Sequence, residues 1–289
     1  MDLNILWFIL ITVLFIGYFV LEGFDYGVGM LMPFLGKTDI DRRVIINTIG
    51  PHWDGNEVWL LTAGGAIFAA FPQWYATLFS GFFIALLLML VGLIIRAVAF
   101  EYRSKHDTTL WRTFWDWIIF LGSFLPALIW GVAVGNFIIG APIDATMTYT
   151  GGGFFSLLTW YPLVGGLTWL ALFSLIGALF ISLKTKGNME KTARAMAMKI
   201  WVPTVILVVI FFVGGHFMHA SLASSGIVGL VLLALAALSL LASGLFIKKE
   251  CVGKAFIAVA AVIVLGTVYV FYSLFPNLMI STTDAAYNL

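Results

Sequence analysis

Charge is scarce in this sequence. Only 10% of its 289 residues are Asp, Glu, Lys or Arg, where soluble domains carry roughly 25%. Hydrophobic residues make up 62% and aromatics 16%, more apolar surface than one aqueous core hides, so the solvent for most of it is lipid. Cysteine is nearly absent: Cys251 stands alone, which excludes a disulfide within the chain and a cysteine-built metal centre. No nucleotide-binding fingerprint, zincin helix or haem-attachment motif occurs. No metal site and no nucleic-acid partner are expected. The start, Met1-Asp2-Leu3-Asn4, lacks the basic n-region of a cleavable signal, so the first apolar segment is expected to remain as a membrane span.

What the chain does have is long apolar runs. A hydrocarbon layer of roughly 30 Å needs about 20 apolar residues to cross it. Eight segments qualify, at about 5–32, 52–72, 75–101, 114–139, 157–183, 199–217, 225–247 and 254–275. They are too uniformly apolar for the alternating strands of a barrel, and lipid otherwise admits only helices. The expected fold class is an all-α polytopic membrane protein. Every Lys and Arg except Arg96 falls in alternate connections: Lys37, Arg42 and Arg43; Arg103, Lys105 and Arg112; Lys184 through Lys199; Lys248, Lys249 and Lys254. The intervening connections carry none, so the basic loops are expected in the cytoplasm and the N-terminus outside. By parity the tail Met279–Leu289 is also outside.

The two halves differ. Residues 1–140 are expected to form a bundle of four helices holding the ionisable groups. Residues 141–289 form a second bundle that packs and faces lipid, with Gly165, Gly166 and Gly177 permitting close helix contact. In the first half, Glu22 and Asp25 stand three apart on one helical face, as do Asp54 and Glu57 in the second span. Arg96 lies inside the third span, with Glu101 about one turn later, and Asp116 enters the fourth about one turn past Arg112. With the derived orientation these groups share one level, in or near the cytoplasmic half of the bilayer. Acids and bases near helix ends are often interfacial, snorkelling or paired; that reading suits Glu101 and Arg112. Asp25, Asp54, Arg96 and Asp116 have apolar sequence on both sides, which makes them functional candidates. Carboxylates outnumber the arginine, leaving at least one acid to be protonated or hydrated and able to carry protons. His52 opens the second span, where a hydrogen-bonding or proton-uptake role is open to it. His216 and His219 have helical spacing for a metal or haem pair but no neighbouring carboxylate, and an interfacial role suits them better.

Composition and charge placement end at a membrane protein with an acidic cluster. The motifs go further. Residues 22–29 (EGFDYGVG), 42–50 (RRVIINTIG), 51–59 (PHWDGNEVW) and 62–72 (TAGGAIFAAFP) resemble subunit II of the cytochrome bd quinol oxidases. So do Arg96 with Phe100–Lys105, Trp115-Asp116-Trp117 and Gly122-Ser123-Phe124. The likeness is dense over roughly residues 20–135; beyond that it lies in hydropathy and length, and the Gly140–Ser156 connection is short. The resemblance implies a bacterial plasma-membrane respiratory complex that oxidises quinol and reduces oxygen to water. It implies a heterodimer with a subunit I that carries haem b, haem d and the quinol-oxidising loop, with a small accessory subunit and a bound quinone in some members. None of the haems would be ligated by this chain. It further implies two four-helix groups plus a ninth, peripheral helix, here either expected beyond Leu289 or lacking in this member. It assigns Asp54 to a proton path that would include Glu57, Asp25 and His52, and gives Asp25, Arg96 and Asp116 to haem retention or the interface. At Glu57 an amide would also fit the motif. The competing reading is a proton-coupled secondary transporter, whose usual marks are glycine-interrupted helices and intramembrane acids. Against it, the ionisable groups lie near one face rather than at the midplane.

Overall fold

Asp2 opens the first helix by accepting a hydrogen bond from the Asn4 backbone N–H at 3.0 Å, and the apolar run continues unbroken as α1, Leu3–Leu35. This is a computed structural model describing residues 2–289. Among these residues, all extended regular elements are helices, and β-pairing is confined to two isolated bridges.

The connection after α1, where the sequence reading has a loop, folds as an 11-residue helix, α2 (Asp39–Ile49). Its cause is local. Thr38 Oγ1 accepts from Asp41 N at 3.1 Å while Thr38 N donates to the Asp41 carboxylate at 3.0 Å, a reciprocal capping box. The Thr38 backbone and hydroxyl hydrogen bonds hold the Asp41 carboxyl below its ordinary range. Next come α3 (Trp53–Ala70), α4 (Pro72–Gly81) and α5 (Phe83–Tyr102). The expected span 75–101 is thus bent at Phe82, which still donates to Leu78 O at 2.9 Å and accepts from Leu86 N at 2.8 Å. Then follow α6 (Thr109–Ile139), α7 (Trp160–Lys184) and α8 (Asn188–Val208). α8 passes through a π-helical segment, Val209–Gly214, into α9 (Gly215–Met218) and α10 (Ala220–Ala223). The chain closes with α11 (Gly226–Lys248) and α12 (Val252–Leu274).

Seven helices are long and apolar enough to cross a membrane; α8 and α9 count as one, Asn188–Met218. The remaining expected span is α3. It is helical for 18 residues, about 27 Å, but Asp54, Asn56 and Glu57 in its first two turns make it less apolar than the other seven.

α1 is the hub, packing on α3, α6, α7 and α12, while α5 lies on α6, α7 on α8, and α11 on α12. The α1–α7 crossing depends on Gly27 facing Gly177. A Cβ on Gly27 would land on the Phe173 carbonyl oxygen, and one on Gly177 would land on the Gly27 backbone. The two halves therefore meet backbone to backbone and share one contiguous apolar core. At the end remote from the basic connections, the tail folds back on the Gly140–Leu158 loop: Ala141 N donates to Ile280 O at 2.8 Å and Thr282 N to Ala141 O at 2.9 Å. Asp144 organises that loop by accepting from Thr146 Oγ1, Thr146 N and Thr148 N. These bonds, the Thr146 hydroxyl foremost, hold its carboxyl below the usual range.

Candidate functional site: buried carboxylates around Arg96

Arg96 is fully buried. α5 presents it to the α1–α3 side, where one nitrogen, Nη2, donates to two carboxylates: Glu22 Oε1 of α1 and, at 2.5 Å, Glu57 Oε1 of α3. Tyr26, one helical turn past Glu22, lays its ring under the guanidinium with the cation 4.6 Å from the centroid. The Tyr26 hydroxyl meets that of Tyr18 at 2.5 Å, and Trp130 Nε1 of α6 donates to Tyr18 at 3.1 Å. Asp25, also buried, accepts from Asn56 Nδ2 at 2.8 Å. Four buried polar atoms here have no partner in the chain: Glu22 Oε2, Asp25 Oδ1, Arg96 Nε and Arg96 Nη1.

A second network lies toward the basic connections. Asp116 of α6, 1% exposed, is clamped by Arg42 Nη1 at 2.7 Å and Arg103 Nε at 2.5 Å. Arg103 Nη2 continues to Asp39 at 2.8 Å; Arg112 joins Asp39 at 2.7 Å and also pairs with Asp107. Arg42 is further fixed by donating from Nε to Gly36 O at 2.9 Å. α2, α5, α6 and the end of α1 are thereby tied into one ladder. The ionisable groups expected on one level occupy two tiers, set by Arg96 and Arg103, about two turns of α5 apart.

Asp25, Glu57 and Arg96 converge as named from the sequence. Glu22, noted there only as a neighbour of Asp25, stands at their centre. Asn56, Asp39, Arg42 and Arg103 were not singled out as site residues. Asp54 stands apart: it is exposed on the outward face of α3 and accepts only from Gly55 N, at 2.8 Å. On that face Val58 is 50%, Leu61 72% and Phe68 62% exposed. Beside it, α3 and α5 splay around an apolar cleft of about 630 Å³, floored by Phe15 and Trp130. His52 is half-buried at the start of α3, its Nδ1 2.8 Å from Ile49 O and its ring against Phe24 and Phe180. His216 is buried with Nδ1 2.8 Å from the Tyr269 hydroxyl, and His219 packs on the Tyr161 ring.

The cleft beside α3 and the cavity among α8, α11 and α12 are lined by no histidine or cysteine. Among the described residues no three His, Cys, Asp or Glu side chains converge as a metal-holding set.

Fold and site define a multi-pass, all-helical membrane protein whose interior is organised by buried ion pairs. The family model of cytochrome bd terminal oxidase subunit II matches residues 3–288. Cytochrome bd ubiquinol oxidase subunit 2 of Bacillus subtilis (strain 168) is 42% identical over 288 residues, covering 100% of this chain and 85% of that protein. Cytochrome bd-I ubiquinol oxidase subunit 2 of Escherichia coli (strain K12) is 46% identical over 216 residues, 74% of this chain but 56% of its own length. The solved structure of bd oxidase from Geobacillus thermodenitrificans superposes with a TM-score of 0.80 at 16% identity, over 96% of this chain and 86% of that one, a likeness of fold. The chain belongs to the cytochrome bd terminal oxidase subunit II family. It is thus a subunit of a multi-subunit quinol oxidase complex, an oxidoreductase of aerobic respiration that contains haem.

Proposed function

We propose that this chain delivers protons from the cytoplasm to the oxygen-reducing centre of its complex while walling that centre laterally, with the haems b and d and the quinol site held by subunit I. The observation that carries the reading is the surplus of buried carboxylates over arginine around Arg96, joined to α3, whose outer face bears Asp54.

Oxygen reduction consumes protons, and in a hydrocarbon environment they travel between acids and ordered water. In this reading the chain crosses the membrane eight times with its N-terminus outside, α3 being the eighth span. Residues 1–140 are a proton-handling bundle and 141–289 a packing bundle. The basic loops lie in the cytoplasm, so α3 begins at the cytoplasmic edge. Subunit I docks on the outward face of α3. That face offers apolar exposure at Val58, Leu61 and Phe68, and Gly64 and Gly65 have nothing within 4 Å of a Cβ position, room for another helix to approach closely. Asp54 then sits at the subunit boundary and takes up protons, His52 and Glu57 flank the route, and Asp25 lies further in. Arg96, always charged, holds the acids in place. Asp116, clamped between two arginines, ties the helices together at the interface.

The test is oxygen-consumption turnover of the assembled complex carrying Asp54→Asn. The expected result is turnover lowered on the order of tenfold or more, the low end of what a positioned proton donor contributes, with the haem spectrum intact. Turnover equal to wild type removes Asp54 from the path.

A further inference from the structure

We infer that Glu22 and Glu57 share one transferable proton across Arg96, forming an internal proton store whose inner member is Glu22. The inference deepens the proton-delivery reading and rests on it.

The geometry fixes the charge balance. A single guanidinium nitrogen, Arg96 Nη2, serves both glutamates, and one positive charge offsets one carboxylate. Among the described residues, no second Lys or Arg pairs with these acids. α1 contributes Glu22, Asp25 and the hydroxyls of Tyr18 and Tyr26; α3 contributes Asn56 and Glu57; α5 contributes Arg96; α6 contributes Trp130. The other arginines of the first half, Arg42, Arg103 and Arg112, are engaged with Asp116, Asp39 and Asp107, and Arg43 is exposed. The Tyr18 and Tyr26 hydroxyls are engaged with each other. Two ionised glutamates on one buried arginine would leave an uncompensated negative charge in the membrane interior, so the pair holds a proton.

Exposure gives the pair a direction. Glu57 has 22% of its side chain accessible and Glu22 none. Glu57 is therefore the member that opens to the outside of the chain, and Glu22 the member that receives. The O–H bond on Glu57 breaks, water relays the proton, and an O–H bond forms on Glu22 Oε2, while the salt bridge weakens at Glu22 and strengthens at Glu57. Arg96 keeps its charge throughout, so the transfer separates no net charge. Glu22 Oε1 is committed to Arg96, whereas Oε2 is buried and unpartnered; Oε2 is the atom that carries the proton.

The test is infrared difference spectroscopy of the purified oxidase complex in water and in deuterium oxide, alongside turnover across pH. Wild type is expected to show a deuterium-sensitive protonated-carboxyl band from the pair. Glu22→Gln leaves Glu57 as the glutamate paired with Arg96, ionised; the pair's band disappears, leaving only what buried Asp25 contributes, and turnover falls about tenfold with a displaced pH profile, at unchanged haem content. Glu22→Asp restores the band. If Glu22→Gln does not assemble, Glu57→Gln gives the same reading, because Glu22 is then the sole, ionised partner of Arg96 and the pair's band is lost. A band undiminished from wild type in either amide variant overturns the store, since Asp25 alone then accounts for it. Loss of the pair's band together with wild-type turnover in Asp54→Asn keeps the store and removes the path from Asp54; an undiminished band with slow Asp54→Asn does the reverse.

Discussion

Asp116→Ala is expected to lower the yield of assembled complex sharply and to depress its thermal midpoint. Asp116 is 1% exposed and is the shared anion of Arg42 and Arg103, so its removal leaves Arg103, itself 5% exposed in its side chain, with half its partners. Breaking a buried pair in this way costs about 3–5 kcal/mol, and the loss falls where α2, α5 and α6 are tied together. Asp116→Asn, which keeps an acceptor oxygen, is expected to lose less. Haem absorbance should fall in proportion to the complex, since the defect is one of assembly. Normal yield with an unchanged midpoint in Asp116→Ala contradicts the clamp.

Gly27→Val is the second large effect. The new side chain is driven into the Phe173 carbonyl and the Gly177 backbone, neither of which yields as a flexible side-chain tip would. Overpacking a tight core commonly costs about 1–3 kcal/mol, and a backbone-to-backbone crossing lies at the upper end. Because Glu22 and Asp25 occupy the turn before Gly27 on α1, any complex that survives should also turn over slowly, its acids displaced from Arg96 and Asn56. Unfolding in detergent, followed by helical circular dichroism, measures the first effect and oxygen consumption the second. A wild-type midpoint in Gly27→Val means that α1 and α7 do not meet here.

Much of this architecture was legible in the residues. Apolar runs of about 20 residues leave lipid-embedded chain little choice but helix, and the glycines at 165 and 177 announced close crossings that Gly131 and Gly27 complete. The helix α2 has a local signal as well. Thr38-Asp39-Ile40-Asp41 has the spacing of a capping box, and Ile45 and Ile49 supply its buried face; the adjacent Arg42 and Arg43 give the same stretch the look of a charged loop. α3 is harder. It is apolar nearly all round, so no hydrophobic stripe says which way Asp54 and Glu57 turn. Burial follows the Asn56–Ala63–Ile67 line, placing Glu57 at its edge and Asp54 outside. Partner choice was not readable either. Glu22 and Asp25 look equivalent in sequence, and only the rotation of α5 against α1 awards Arg96 to Glu22 and leaves Asp25 to Asn56. Arg103 resembled a solvated loop cation because helix length alone does not reveal that α5 carries it back over Asp116.

Proton uptake during turnover tests the central claim most directly. Purified complex, reconstituted with the basic loops facing a pH-indicator dye, is mixed with oxygen, and uptake from that side is timed against haem oxidation. With Asp54→Asn and Glu57→Gln combined, uptake is expected to slow on the order of tenfold or more while haem content and quinol binding stay as in wild type. Uptake at the wild-type rate in that double variant would contradict the account.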